Sequence, residues 1–481
     1  MSVLVGIVTL LFWAVAYPHA LSYHEQYQLF EWTGDYFLER VSLPGGLADW
    51  AGEFLVQFFY YPWLGASLLA LLFVLLQGAT ARLMPERWYL LSLATPIIIL
   101  WVMGDINTMW ALPVALAMVL AVACVKWPQH LWWIDLLATP VLWWLAGPVV
   151  WLYVIIRVIQ YGWRLLSAMV VLAVAQAASC ALLPQWPVQQ VLTGIPYYRI
   201  PLHYPQLSGY DIDTYELIWQ DYQIRGEHWD AIIKRAREYT VKTAFWSNSV
   251  NLALSQKRQL AELMFDFYQS DDEALLMASV RDQTSNLPSA EAMFRLGLVN
   301  SAQRYMFDIQ QSILNGKKSG RCITRIIQCM LVNGHYKTAE KYVDLLEKSL
   351  FYSNWAKEVR QVITSDSTTR ERLINTHPVL GRLRQLRFKN DFLFSYSEKD
   401  KIFGLLFMDN HDNKMALDYF IGELLLRGDV QGVMQYMPLA EQYGSYRYMP
   451  VGYQDAVQCI RKRGNLPGSK YGAYVKRMMQ R

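Results

Sequence analysis

The sequence predicts an all-α protein in two parts: an N-terminal polytopic bundle of six or seven transmembrane helices, then a soluble α-solenoid. Three observations carry this. Of 44 Lys/Arg and 40 Asp/Glu in 481 residues, residues 1–184 hold six and nine, leaving 38 and 31 for the rest, so the halves carry net charges of −3 and +7. The first half is a succession of long apolar runs, as a bilayer demands of chains whose backbone groups must bond within their own helix. The second half is a succession of amphipathic helical patterns divided by Gly.

The expected spans are Val3–Tyr23, Trp63–Arg82, Trp88–Gly104, Ile106–Val125, Leu131–Arg157 and Trp163–Leu183. Ala14-Val15-Ala16 resembles a signal cleavage site, but no Lys or Arg precedes the apolar run and further spans follow, so an uncleaved first span is expected. Gly147-Pro148 interrupts the fifth run, either as a kink in one span or as the tip of a fold-back that adds a seventh. The loop after the first span holds Glu25, Glu31, Asp35, Glu39, Asp49 and Glu53 against one Arg40, which places it outside. Arg82, Arg87 and Lys126 then lie inside. A fold-back at Gly147 puts Arg157 and Arg164 inside too and the tail outside the cytoplasm. A single span does the reverse, and the charge rule favours the fold-back. The clusters Trp132-Trp133, Trp143-Trp144 and Phe58-Phe59-Tyr60-Tyr61 read as rings of an interfacial belt in contact with membrane lipid.

Within the loop 24–61 the pattern predicts two amphipathic helices, Glu25–Val41 and Leu47–Tyr60, joined by the breaker Leu43-Pro44-Gly45-Gly46. Glu31, Asp35 and Glu39 then fall at i, i+4 and i+8 on one helix side, either a solvated acidic face or a place for a divalent cation or a general base. Asp105 sits in a tight connection and Asp135 four residues inside a span, where a carboxylate raises a functional question unless it reaches the interface. Glu31, Asp35, Asp105 and Asp135 are the candidate catalytic acids. Their convergence on one cavity would favour an enzyme.

Residues 185–210 read as an extended linker rich in Pro and Tyr, with Pro187, Pro196, Pro201, Pro205, Tyr197, Tyr198 and Tyr204. In the helical domain 211–481 the clearest unit is Asn333-Gly334-His335-Tyr336-Lys337-Thr338-Ala339. There Gly334 ends one helix, Tyr336 opens the next and Ala339 allows close approach of its partner. It closely resembles the second helix of a tetratricopeptide repeat. Echoes occur at Gly226 with Trp229, at Gly428, and more loosely at Gly297 with Ala302. Stacked hairpins of this kind present a groove for a protein partner, or pack on a second copy. His203, His228, His335, His377 and His411 are isolated, and no metal-ligand spacing or nucleotide-binding loop occurs. Gly316-Lys317-Lys318-Ser319-Gly320 lacks the phosphate-loop spacing and reads as a turn. Mixed charge signs argue against a nucleic-acid surface. Cys322 and Cys329, about 10.5 Å apart along one helix, read as packed thiols.

The layout is similar to a family of uncharacterised inner-membrane proteins of the Bacteroidota, carried by Glu31-Trp32 through Tyr61-Pro62-Trp63-Leu64-Gly65, by Trp144-Leu145-Ala146-Gly147-Pro148 and by the Tyr336/Ala339 repeat. That resemblance implies a bacterial cytoplasmic-membrane location and no particular chemistry. A fainter one, to polytopic lipid-linked sugar transferases of the GT-C type, implies an essential acid in the first outside loop, at Glu31 or Asp35. This chain has about half their spans. Two functions follow: a scaffold whose tail binds a protein, or a membrane enzyme acting on a lipid-linked or glycan substrate. No cofactor is expected under the first; the second would admit a divalent cation.

Overall fold

A computed structural model describes residues 1–162, 166–197, 209–313, 315–388, 396–444, 446–464 and 466–480. Arg164, His203 and the linker residues Tyr198, Pro201, Tyr204 and Pro205 lie outside the described residues, as does the start of the expected last span. Every regular element among the described residues is helical. The chain divides into two compact units that are not contiguous in sequence. The first comprises Met1–Tyr215, Ile313–Gly320 and Glu347–Asn354; the second comprises Glu216–Ser312, Arg321–Leu346 and Trp355–Arg481.

Among the described residues the first unit does not contain six or seven full-length spans. Two runs are long and apolar enough to cross a membrane, Pro62–Leu83 and Trp133–Tyr161, and a third if Ser2–Ala16 and Pro18–Gln26, bent by 76° at Tyr17, count as one. The other expected spans are shorter for local reasons. Pro85 opens a 3-10 stretch, Glu86–Leu93, so the α-helix in the third run is only the nine-residue Ala94–Val102. The fourth yields the 13-residue Ala111–Ala123, under the ~20 residues of a full span, and the described part of the last is Leu166–Leu182.

Trp133–Tyr161 is itself folded back at Gly147. Asp135 and Arg157 would stand about 33 Å apart on a straight helix, yet Arg157 Nε lies 3.1 Å from Asp135 Oδ1, and Tyr153 Oη donates to the same oxygen at 2.5 Å. The arms are Trp133–Ala146 and Val150–Tyr161. Gly147, at φ +73°, makes the tip. Gly45, at φ +81°, lies against it, so that a Cβ on Gly147 would stand 3.4 Å from the Gly45 Cα. The Gly45 N–H donates to Trp144 O at 2.8 Å, Trp144 Nε1 donates to Val41 O at 2.9 Å, and the Tyr197 hydroxyl donates to the freed Ala146 carbonyl. The two sequence breakers therefore pack on one another, and each satisfies backbone groups that the other leaves open.

These contacts give the bundle two ends of different chemistry. At one end Arg157 donates to Val122 O, in the last turn of Ala111–Ala123, and to Val125 O just past it, and Arg82 and Arg157 both act on Cys124. At the other lie Gly45, Gly147, Tyr197 and Trp110, with Gly52 so close to Ala111 that a Cβ would meet its nitrogen at 2.7 Å. Ala111, Ala115, Val119 and Ala123 make the buried stripe along which neighbouring helices approach. The aromatic residues divide: Trp133 and Trp63 are exposed, whereas Trp13, Trp110 and Trp143 are fully buried.

The second unit is made of helices joined in pairs. Leu287–Leu296 is followed by Val299–Ser312, Gly320–Asn333 by Tyr336–Glu347, and Lys414–Arg427 by Val430–Tyr443. Gly297, Gly334 and Gly428 occupy the left-handed position at each first helix's end. The next N–H closes the turn each time, Leu298 to Met293 O, His335 to Met330 O and Asp429 to Leu424 O, at 2.9, 2.9 and 3.0 Å. This six-residue cap uses the conformation that only Gly adopts cheaply. Ala302 and Ala339 are fully buried.

Candidate functional site

The first loop does not form a helix through Glu31. Residues 27–33 are non-helical, and Thr33 starts a new helix at Gly34–Val41 by accepting the Tyr36 N–H at 3.3 Å. The extended stretch bonds elsewhere: Leu29 N–H to Lys318 O at 2.9 Å and Trp32 N–H to Lys348 O at 2.8 Å. The stacked face of Glu31, Asp35 and Glu39 is therefore lost. Glu31 is buried and paired with Lys318, whereas Asp35 and Glu39 are exposed. Asp105 accepts the Asn107 N–H at 2.9 Å in its turn, and Asp135 is held by Arg157 and Tyr153.

Glu31, Asp105 and Asp135 thus have separate partners, and Asp35 is exposed. Asp135 lies at the arginine end, and the helix Ala111–Ala123 that separates this end from the loop is about 20 Å long. No group of three metal-ligating side chains occurs among the described residues.

What the loop builds instead is a buried ion cluster. Lys317 reaches Asp49 at 2.7 Å and Glu53 at 2.5 Å, and Arg40 Nε stands 3.4 Å from Glu53 while its Nη1 donates to Asn315 O at 2.8 Å. Burial raises the Glu53 carboxyl above its usual range, and Lys317 offsets part of this. The lysines of the Gly316–Gly320 turn are occupied by carboxylates, which accounts for their presence without any phosphate.

Trp229 and Tyr336 lie among charged side chains of the second unit. Arg295 lies 4.9 Å over the Trp229 ring, and Tyr336 Oη bonds Glu371 at 2.5 Å and Arg384 at 2.7 Å under Arg370. Glu291 accepts two bonds from Arg325, at 2.9 and 2.7 Å, and lies 3.4 Å from Arg321, which also pairs with Asp221 at 2.7 Å. Burial alone would raise the Glu291 carboxyl, but Arg325, Arg321 and Arg295 outweigh it and hold it at about 2.

Beside this network the second unit has a cavity of about 560 Å³. Its wall is assembled from the turn at Glu227, the end of Ala244–Gln256, the helices Leu287–Leu296 and Gly320–Asn333, the stretch 378–386, and the start of Lys414–Arg427. Five basic side chains line it against two carboxylates. Two of its residues occupy helix ends where Gly is usual. Glu227, at φ +57°, and Arg258, at φ +58°, take the left-handed position of the same six-residue cap, closed by His228 N–H to Gln223 O and Gln259 N–H to Leu254 O at 2.9 and 2.8 Å. A side chain there costs roughly 1–2 kcal/mol. Gly226 therefore precedes the position that the other turns give to Gly. Arg258, Arg382, Lys414 and Ser255 were invisible as a site in the sequence; a charged residue at a cap position is the one trace they leave.

The chain matches the sequence model of a family of unknown function, DUF6057, over residues 1–480, and belongs to that family. No curated protein and no solved structure matches it.

Proposed function

We propose that this DUF6057 member is a membrane-anchored adaptor: the apolar helices of the first unit hold it in the bacterial cytoplasmic membrane, and the second unit binds a protein partner in its groove. The observation that carries the reading is the 560 Å³ cavity whose wall comes from the ends and turns of successive helices. An α-solenoid resembling tetratricopeptide repeats is supported by side-chain bonds that recur one repeat length apart. Asn333 bonds Asn300, Arg325 bonds Glu291, and Tyr336 bonds Glu371, at separations of 33, 34 and 35 residues.

The arginine end of the bundle, with Arg82 and Arg157, supports a cytoplasmic face there, and the fold-back at Gly147 supports an extracytoplasmic tail. The loop 24–61 shares its side with residues 315–318 and 347–352, since Lys317 pairs with Glu53 and Tyr352 donates to Glu25 at 2.6 Å. No observation favours the transferase reading, because Glu31 is paired with Lys318.

The test is cross-linked co-purification of the full chain from native membranes, with Val379→Asp on the exposed groove wall as the variant. A stoichiometric protein partner should be retained by the wild type and lost in the variant. A partner held equally by both overturns the reading.

A further inference from the structure

We infer that the groove of the second unit takes an acidic peptide segment, held by Arg258, Arg382 and Lys414, with the Ser255 hydroxyl as a buried donor. This rests on the adaptor reading and names the chemistry of its partner. Of the five basic side chains, two are already spent: Arg295 on Glu227 at 2.7 Å and Arg325 on Glu291. Arg258 and Arg382 are exposed and make no ion pair among the described residues, and Lys414 Nζ donates only to the His411 carbonyl, at 2.8 Å. Two guanidiniums without an ion pair among the described residues, of which Arg258 also acts at longer range on the buried Asp418, and an ammonium around one cavity suit a carboxylate.

Ser255 is the independent sign. It lines the same cavity, is 4 % exposed, and its Oγ has no hydrogen-bond partner among the described residues. A buried hydroxyl without a partner is costly, and an acceptor entering the groove would relieve it.

The backbone points the same way. Arg258 stands where Gly would be cheaper, and a charged side chain kept at a strained position on a cavity wall suits a binding role. A peptide fits better than a polyphosphate. Phe294, Val379, Leu383 and Met415 give the wall an apolar share, and Glu227 and Asp412 would repel a uniformly anionic chain while accepting peptide N–H groups.

The experiment uses the full chain and labelled peptides of about ten residues, one alternating Glu with Leu and one alternating Gln with Leu, in fluorescence anisotropy. The Glu peptide should bind at least about tenfold more tightly, and the advantage should shrink in about 0.5 M NaCl. Arg258→Gly and Arg382→Gln should each weaken it by about tenfold. Arg258→Gly should at the same time raise the melting temperature, so lost binding cannot be put down to misfolding. Equal binding of both peptides overturns the acidic occupant and leaves the adaptor reading standing. A single-stranded oligonucleotide or polyphosphate binding more tightly than the Glu peptide overturns the peptide. If neither peptide binds, this inference is overturned, and the adaptor reading falls with it only if partner capture also survives Val379→Asp.

Discussion

Glu53 in the first unit and Glu291 in the second are both buried carboxylates facing cations, and they are shifted in opposite directions. Glu291 receives two bonds from one planar guanidinium and feels two more, which outweigh its burial. Glu53 has the point charge of Lys317 at 2.5 Å and Arg40 at 3.4 Å, shares Lys317 with Asp49, and lies near Glu31, so burial wins. The origin of the partners differs as well. Arg325 comes from 34 residues away, whereas Lys317 pairs with Asp49 across 268 residues. The second unit builds its network between neighbouring helix pairs; the first imports a lysine turn from far along the chain.

The largest effect should come from removing the imported cation. Lys317→Met leaves Asp49 and Glu53 buried with Arg40 alone and should destabilise the first unit by about 3–5 kcal/mol in chemical unfolding. An undetectable change would mean the cluster is hydrated in solution.

Next comes acid. The folded Glu291 carboxyl, at about 2, lies below its unfolded value of 4.5, so its contribution is complete above pH 4.5 and is lost as pH falls towards 2. This loss amounts to roughly 3 kcal/mol, and Glu291→Gln should remove most of that pH dependence. Glu53 should act with the opposite sign: its folded value is raised, so stability is lost as pH rises above 4.5. If Glu53→Gln leaves the slope above pH 4.5 unchanged, the contrast between the two glutamates fails.

The smallest effect is conformational. Gly334→Ala, at φ +79°, should cost about 1 kcal/mol, and a neutral result would remove the cap from the account.

The same contrast decides what the sequence could reveal. Gly297, Gly334 and Gly428 mark real helix ends because a left-handed cap is a local demand on one residue. Gly226 was displaced by one position because Glu227 takes that conformation itself. Gly45 and Gly147 were each legible as breakers, but their mutual packing was not, since nothing local ties residues a hundred positions apart. The apolar runs were legible as apolar; their length was not, because Pro85, Tyr17 and the Gly147 tip cut them where hydropathy continues. Glu31, Asp35 and Glu39 were spaced for a helix that residues 27–33 do not form, because their backbone bonds to Lys318 and Lys348 instead. The groove left almost no trace, for its residues come from six separate stretches.

The lysine turn of residues 315–318 belongs to the first unit, seated in the loop 24–61. A double-mutant cycle of Lys317→Met with Glu53→Met on the full chain tests it most directly. Direct pairing predicts that the double variant is more stable than the sum of the singles allows, by at least about 2 kcal/mol. Additive losses, with no coupling between the two positions, would contradict it.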